Sequence, residues 1–408
     1  MPSRRWALRP AAELSTSLGP LEGITVIALE QAISAPYCTR CLGDLGARVI
    51  KVENVRGGDF ARAYDTTTLG QGAHFVWTNR NKESVAVDLK TERGAQVLRQ
   101  LVERADVVVQ NLAPGAAARL GVAADQVVAH VPTAIGVDIS GYGTGGPYEQ
   151  RRAYDLLVQS ESGSCSITGW PDAPAKPGIP LADIGSGMHA YSAILAALLD
   201  RGRTGRGAAL HVGMFDVMAD WMGWALNQAR YGAAPIPNGV SSPMVAPYGS
   251  YRTSDDQTAV LGTTNDREWQ RLARDIIDRA DLADEPAYAT NAQRVQQRDA
   301  LDAAIGAWVE KHTLAEVEAA ADAAGIGVAR LNSVEDVVGH PQLAERDRWR
   351  PVSTPNGPVL GVVPPVASST WGPRMDPVPA LGEHTDAILG ELGYSADDIS
   401  SMRDSGVI

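Results

Sequence analysis

The sequence predicts an α/β protein, with a large domain built on a parallel sheet and joined to a smaller α+β domain. Three observations carry this. Strand and helix signals alternate through the first 140 residues, with short connections between them. A Pro- and Gly-rich stretch from Gly232 to Gly249 then breaks the pattern, and a second set of strand and helix signals follows it. Finally, 408 residues exceed what one hydrophobic core ordinarily holds, and a composition of 44% hydrophobic and 21% charged residues supplies enough core for two lobes.

Taken in order, Ile24 to Leu29 is a short apolar run of strand length, and Ser34 to Leu45 reads as a helix closed by Gly46. Arg48 to Val52 is the next strand, and Val85 to Leu89 another. A helix from Thr91 to about Arg104 carries Leu98, Leu101 and Val102 on one face. Val107 to Val109 and Ala134 to Val137 continue the alternation, which implies a parallel sheet with helices on both faces. Ligands of such sheets bind beyond the carboxyl ends of the strands. Met188 to Leu199 is an apolar helix, and a further helix spans Phe215 to Tyr231. Beyond the linker, Thr258 to Gly262 reads as a strand, followed by helices at Asp266 to Ile277, Arg298 to His312 and Leu314 to Ala324. The tail returns to helix at Thr385 to Leu392. The domain plan is therefore an N-terminal extension (1–20), the large domain (21–231), a linker (232–249), the small domain (250–331) and a returning segment (332–408) that completes the large domain.

Several function classes lose support at once. A net charge of −12 with no block of Lys or Arg argues against nucleic acid or an anionic membrane as partner. The first twenty residues lack the apolar core of a signal peptide, and no stretch is apolar enough over bilayer length to span it, so a cytoplasmic protein is expected. Three cysteines, an odd number in a long chain, fit a reducing compartment. Cys38 and Cys41 form a C-x-x-C within a predicted helix, with no second pair to complete a zinc site. No His spacing suggests a metal either. The first strand-to-helix turn, Glu30-Gln31-Ala32-Ile33-Ser34-Ala35-Pro36, has no G-x-G-x-x-G, and the chain has no P-loop, which removes most support for nucleotide-driven chemistry.

The most informative segment is Pro180-Leu181-Ala182-Asp183-Ile184-Gly185-Ser186-Gly187-Met188-His189. An acid stands just before a Gly-Ser-Gly turn that opens the apolar helix. Asp183 is read in two ways. It is a helix N-cap whose carboxylate satisfies free N–H groups, or it is a nucleophile kept ionised by the positive end of the helix, with free N–H groups available to an oxyanion. The residue alone supports both.

The surroundings separate these readings, because an ordered set of motifs resembles family III CoA-transferases, the group that includes formyl-CoA and carnitine CoA-transferases. The set begins with Pro20-Leu21-Glu22-Gly23-Ile24, Leu45 to Glu53 and Gly58-Asp59. It continues with Asn81-Lys82-Glu83-Ser84, Asp88-Leu89-Lys90, Asn111 with Pro114-Gly115, and Gly141-Tyr142-Gly143 with Gly146-Pro147. Tyr154-Asp155 with Gln159, Thr204-Gly205-Arg206-Gly207 and Leu381-Gly382-Glu383-His384-Thr385 complete it. The resemblance implies a large Rossmann-like domain, a smaller α+β domain, and an interlocked, ring-like homodimer.

It also implies that Asp183 is the nucleophile, passing through an aspartyl–acyl anhydride and an aspartyl-CoA thioester, with no ATP, no metal and no permanently bound cofactor. Coenzyme A and its acyl thioesters are then substrates, and a free carboxylic acid is the second partner. CoA contacts carried over by position are Gln31 and Ala32; Val87, Asp88, Leu89 and Lys90; Asn111, Leu112 and Ala113; Arg119; and Arg152, Ala153, Tyr154 and Asp155. Lys90, Arg119 and Arg152 suit phosphates chemically. Asn54 stands where formyl-CoA transferase has an Arg, with Arg56 nearby as a substitute. The long glycine-rich loop of that enzyme is replaced by Asn238-Gly239-Val240-Ser241-Ser242-Pro243.

The same fold also hosts α-methylacyl-CoA racemases, whose proton-transferring His lies where this chain has Tyr154, a phenol and a poor base at neutral pH. A non-catalytic acyl-CoA-binding protein is the third reading, and it would not need the acid at position 183. The segments 153–159, 220–223 and 246–249 look closest to members that handle C4–C5 dicarboxylates. Succinyl-CoA is then the expected donor, and itaconate, mesaconate, citramalate or malate the acceptor.

Overall fold

The computed structural model describes residues 19–408; the predicted N-terminal extension, up to residue 18, lies outside them. The chain forms two compact units. One takes residues up to Ser162, Ile179–Trp221 and Glu345–Ile408; the other takes Gly163–Gly178 and Met222–Ala344. Besides Gly163–Gly178, which lies within the predicted large domain, the second unit runs from Met222, inside the predicted 215–231 helix, to Ala344.

The first unit is built on a six-stranded sheet of β1 (Thr25–Leu29), β2 (Arg48–Glu53), β3 (Lys82–Ala86), β4 (Val107–Gln110), β5 (Ile135–Ser140) and β6 (Ala209–Gly213). Their order is β3-β2-β1-β4-β5-β6, and every pairing is parallel. Val26 pairs with Val49 on one side and Val107 on the other, so β1 sits mid-sheet, fully buried over most of its length. The order reverses between β1 and β4, which opens a crevice beyond their carboxyl ends. Apolar clusters fill both faces. Ile27, Ile50, Val85 and Val108 meet Leu98, Leu101 and the C-terminal Ile388, Leu389 and Met402 on one face. Val26, Val49, Val107 and Val137 meet Cys38, Leu42, Ala190 and Ile194 on the other.

Four predicted boundaries need correction. The third strand runs over Lys82–Ala86 instead of 85–89, because Lys82 and Ser84 are buried polar residues that disguise its start. The last strand, Ala209–Gly213, was not anticipated; as an edge strand it is only half-buried, so its apolar signal is weak. The predicted 215–231 helix is broken into Met214–Trp221 and Gly223–Tyr231. The predicted 188–199 helix is Leu181–Thr204, seven residues longer at its start, with Gly185-Ser186-Gly187 inside it.

The second unit carries a three-stranded antiparallel sheet of β7 (Tyr248–Arg252), β8 (Thr258–Gly262) and β9 (Gly327–Arg330), in the order β9-β8-β7. Its core joins Tyr251, Leu261, Trp269, Leu272, Leu301 and Ile305. The predicted 266–277 helix widens from Asp266–Arg271 into a π-helical stretch at Leu272–Ile276. Among the described residues no helix is long and apolar enough to cross a membrane.

Candidate active site

Parallel neighbours β5 and β6 require a return path across the sheet, and the Leu181–Thr204 helix supplies it, so its start lies at the carboxyl edge of the strands. The two glycines in its first turns serve close packing. A Cβ on Gly187 would lie 2.5 Å from the Ser34 carbonyl oxygen, and one on Gly185 would lie 2.9 Å from the Trp221 ring. The nucleophile candidate is thereby drawn against the turn that leaves β1.

Asp183 is the third residue of this helix and does not cap it. The cap is Asp155, whose Oδ1 accepts from the N–H groups of Ala182 (3.0 Å) and Asp183 (3.3 Å). Leu181 N–H donates to Ile179 and Ile184 N–H to Pro180, so the first four donors of the helix are all occupied. This corrects one sequence expectation: the helix start offers no free N–H to an oxyanion. Burial, and then the charge of Asp155, push the Asp183 carboxyl up to about 7.

The turn after β1 is fixed from two sides. Gln31 N–H donates to Asn111 Oδ1 (2.9 Å), and Asn111 Nδ2 donates back to the Gln31 carbonyl and to Ser34 Oγ. Asn111 follows β4, so this pair bridges the crevice where the strand order reverses. Ala32 stands in the left-handed region, with φ 62°. Its N–H donates to Asp59 Oδ1 (3.0 Å), which offsets a conformation disfavoured for a residue with a Cβ.

Beneath this turn lies a charge network that the sequence does not reveal. Lys51 Nζ contacts Asp59 (2.8 Å) and Glu30 (3.2 Å), and Lys82 Nζ contacts Glu30 (2.6 Å), with all four side chains fully or almost fully buried. Arg62 pairs with Glu53 at 2.7 Å, and Ser84 Oγ donates to the same carboxylate. Three carboxylates therefore face three cations. Their charges hold Glu30 below the usual carboxylate range despite its burial and bring Glu53 to about 2, while burial lowers Lys82 to about 8. Several of the motif residues thus serve as a buried support for the carboxyl edge.

The residues expected to contact CoA differ in burial. Val87 and Asp88 are buried, their N–H groups donating to Glu53 and Val407; Leu89 and Leu112 pack against the core. Ala113 is exposed and accepts from Ala116. Gly141 has no room for a Cβ because the Ala153 methyl would lie 2.1 Å from it. Tyr154 is exposed. Lys90, Arg119 and Arg152 are exposed, and their side chains form no ion pair among the described residues. Arg56 is 84% exposed and reaches within 3.6 Å of Asp88, beside Lys90, while Asn54 Oδ1 accepts from Arg56 N–H. Tyr64 was missed by the sequence reading. It is half exposed, and its phenol is pushed up to about 12 by burial and by the charges of Asp59 and Asp183, which places it in this neighbourhood. Its one sequence signal is the aromatic i, i+4 pair with Phe60, directly after Gly58-Asp59.

In the second unit, the segment 238–243, expected in place of the glycine-rich loop, is braced. Arg298 donates to Ser241 Oγ, Ser242 O and Val245 O, and Gly239 lies against the Trp170 ring, where a Cβ would come within 2.4 Å.

A family model described as CoA-transferase family III matches residues 21–385, nearly the whole chain. The chain belongs to CoA-transferase family III. A succinate–glutarate CoA-transferase from Agrobacterium fabrum is 34% identical, over 91% of this chain and 96% of its own. A succinyl-CoA–D-citramalate CoA-transferase from Chloroflexus aurantiacus is 30% identical over 95% and 98%. Among solved structures, a CaiB/BaiF family protein from Brucella suis superposes with a TM-score of 0.79 at 32% identity, covering 92% of this chain and all of that one. In this CoA-transferase the carboxyl edge of the sheet carries an acid of raised proton affinity and the crevice where the strand order reverses.

Proposed function

We propose that this CoA-transferase moves CoA from an acyl-CoA, with succinyl-CoA the first candidate, to a C4–C5 dicarboxylic acid such as itaconate, mesaconate, citramalate or malate, with Asp183 as nucleophile. The observation that carries the reading is Asp183 itself: a partly buried carboxylate at the start of a helix, at the carboxyl edge, with a carboxyl pushed up to about 7. An acid tuned toward neutrality by burial and a charged neighbour, at a crevice, is a candidate for a functional position.

In the proposed sequence, an Asp183 oxygen attacks the thioester carbonyl, the C–S bond breaks, and an aspartyl–acyl anhydride and CoA thiolate result. The thiolate attacks the Asp183 carbonyl, forming the aspartyl-CoA thioester and releasing the donor acid with one oxygen from Asp183. The acceptor carboxylate attacks that thioester, giving a second anhydride and free thiolate. The thiolate then takes the acceptor acyl group, leaving Asp183 with one oxygen from the acceptor. Thioester energy is conserved throughout. With the Asp183 helix start fully occupied, the oxyanion donors are assigned to the N–H groups of Ser34 and Ala35 at the start of the Ser34–Asp44 helix, where Pro36 has no N–H and Tyr37 already donates to Ile33. Lys90, Arg119 and Arg152, unpaired and exposed, are assigned to CoA phosphates, with Arg56 beside them. The dicarboxylate assignment is supported by the succinate, glutarate and citramalate in the relatives' names. A homodimer is supported by apolar side chains the single chain leaves open, among them Tyr231 (82% exposed), Val334 (80%) and Val366 (70%).

The test is incubation with succinyl-CoA and a panel of carboxylic acids, without ATP or added metal, following acyl-CoA products by mass spectrometry beside Asp183→Ala. Transfer to a dicarboxylate that the variant abolishes supports the reading; transfer that survives removes Asp183 as nucleophile. No transfer, with deuterium uptake beside the carbonyl of a 2-methylacyl-CoA, would favour racemase chemistry.

A further inference from the structure

We propose that Asp155 is a positioning residue for Asp183: its carboxylate, tethered by Gln159, holds the first turn of the nucleophile's helix and keeps a second negative charge beside the nucleophile. The inference rests on the reading of Asp183 as nucleophile.

Asp155 opens the Asp155–Glu161 helix, 28 positions before Asp183. One of its oxygens accepts from the consecutive N–H groups of Ala182 and Asp183, and the other accepts from Gln159 Nε2 at 2.6 Å. The N-cap residue itself, Pro180, has no side-chain donor or acceptor to offer, so the cap comes from another element. A neutral Ser, Thr or Asn could accept the same bonds. A carboxylate instead sets two like charges close together, which is costly unless the charge has a use. Gln159 adds to that cost. It is fully buried and its Oε1 has no hydrogen-bond partner, so the amide is committed to Asp155 and leaves its own acceptor unsatisfied.

The consequence is chemical as well as geometric. A carboxylate made more basic by its neighbour is a stronger nucleophile toward a thioester once ionised. A fixed first turn keeps that carboxylate in one orientation. Other titratable groups on the surrounding elements are Tyr37 on the Ser34–Asp44 helix, Tyr64 and Tyr154, His189 on the nucleophile's own helix, and Asp216 and Asp220 on the Met214–Trp221 helix. Tyr37 and Tyr64 are raised above the usual phenol range and stay neutral. His189 faces the Trp221 ring, and Asp216 Oδ2 is turned to the backbone of Gly143 and Gly213. Asp155 is the charged group whose field reaches Asp183.

The experiment is the pH profile of kcat/KM for CoA transfer by the full-length protein with succinyl-CoA and its accepted acid. Wild type is compared with Asp155→Asn and Asp155→Glu, with Asp183→Ala as control. Asp155→Asn is expected to move the acid limb down by about one pH unit and to lower kcat at pH 8 by about tenfold. Asp155→Glu keeps the charge and is expected to keep the limb at its wild-type position. An acid limb unmoved in Asp155→Asn, moved equally in Asp155→Glu, or absent from wild type between pH 5 and 8 overturns the proposal. Activity surviving in Asp183→Ala defeats the underlying reading instead, whatever the Asp155 variants do. Should circular dichroism show Asp155→Asn to be unfolded, Gln159→Leu decides. It removes the tether without changing charge, so kcat is expected to fall with KM for acyl-CoA unchanged, and an unchanged kcat overturns the proposal.

Discussion

Replacing Asp183 by Asn should abolish transfer and yet stabilise the protein, by an amount that depends on pH. The folded carboxyl binds its proton up to about 7, against 3.8 for the unperturbed group. Between those values the native state holds more protons than the unfolded state, so stability falls as pH rises through the window and then levels off. At 1.36 kcal/mol per unit the shift corresponds to about 4 kcal/mol. Solvent reaches the partly buried carboxylate, so about 2 kcal/mol is the expected share. An uncharged amide of the same shape avoids this cost. For a unit of this size that corresponds to about 4–8 °C in melting temperature. Thermal melts of both proteins from pH 5 to pH 8.5 would show a gap, small at pH 5, that widens toward pH 7 and is constant above it. A gap independent of pH, or a wild type that gains stability toward pH 8, would refute the account of a desolvated nucleophile crowded by Asp155.

Other expectations follow from the same geometry. Lys82→Met should destabilise the protein by about 3–5 kcal/mol, because it strips Glu30 of one of its two buried ammonium partners; denaturant unfolding measures it. Substituting Lys90, Arg119 or Arg152 by Ala should each raise KM for acyl-CoA by about threefold to tenfold while kcat stays within about twofold; steady-state kinetics that instead show a fallen kcat at unchanged KM would remove them from CoA binding. Gly187→Ala places a Cβ 2.5 Å from the Ser34 carbonyl oxygen, and should cost about 1–3 kcal/mol in thermal or denaturant unfolding.

The sheet was legible because alternation is a local signal. Val26 to Leu29 and Val107 to Val109 announce buried parallel strands within a few residues. Ala209–Gly213 did not, since an edge strand needs little apolar surface. The site was legible in part. Asp183 stood out through its glycines, but those glycines read as a turn and in fact seat one helix against Ser34. The acid that caps the helix is Asp155, and no local pattern links residues 28 positions apart. The upward shift of the Asp183 carboxyl comes first from its burial and then from that unforeseen neighbour. Lys51, Lys82, Glu30 and Asp59 look like ordinary surface charges in sequence; only the closure of β1, β2 and β3 brings them together out of water. Cys38 and Cys41 remain free thiols, both held above their usual range by burial, Cys38 the more so.

The most direct measurement follows an oxygen atom. The protein is taken through a single turnover, with succinyl-CoA no more than equimolar with its sites and an acceptor acid labelled with 18O in its carboxylate, then digested, and the Asp183 peptide is weighed. Covalent transfer through Asp183 leaves one acceptor oxygen in that side chain, so the peptide should gain the mass of a single 18O-for-16O exchange. CoA transfer that proceeds with the Asp183 peptide unlabelled would contradict the account.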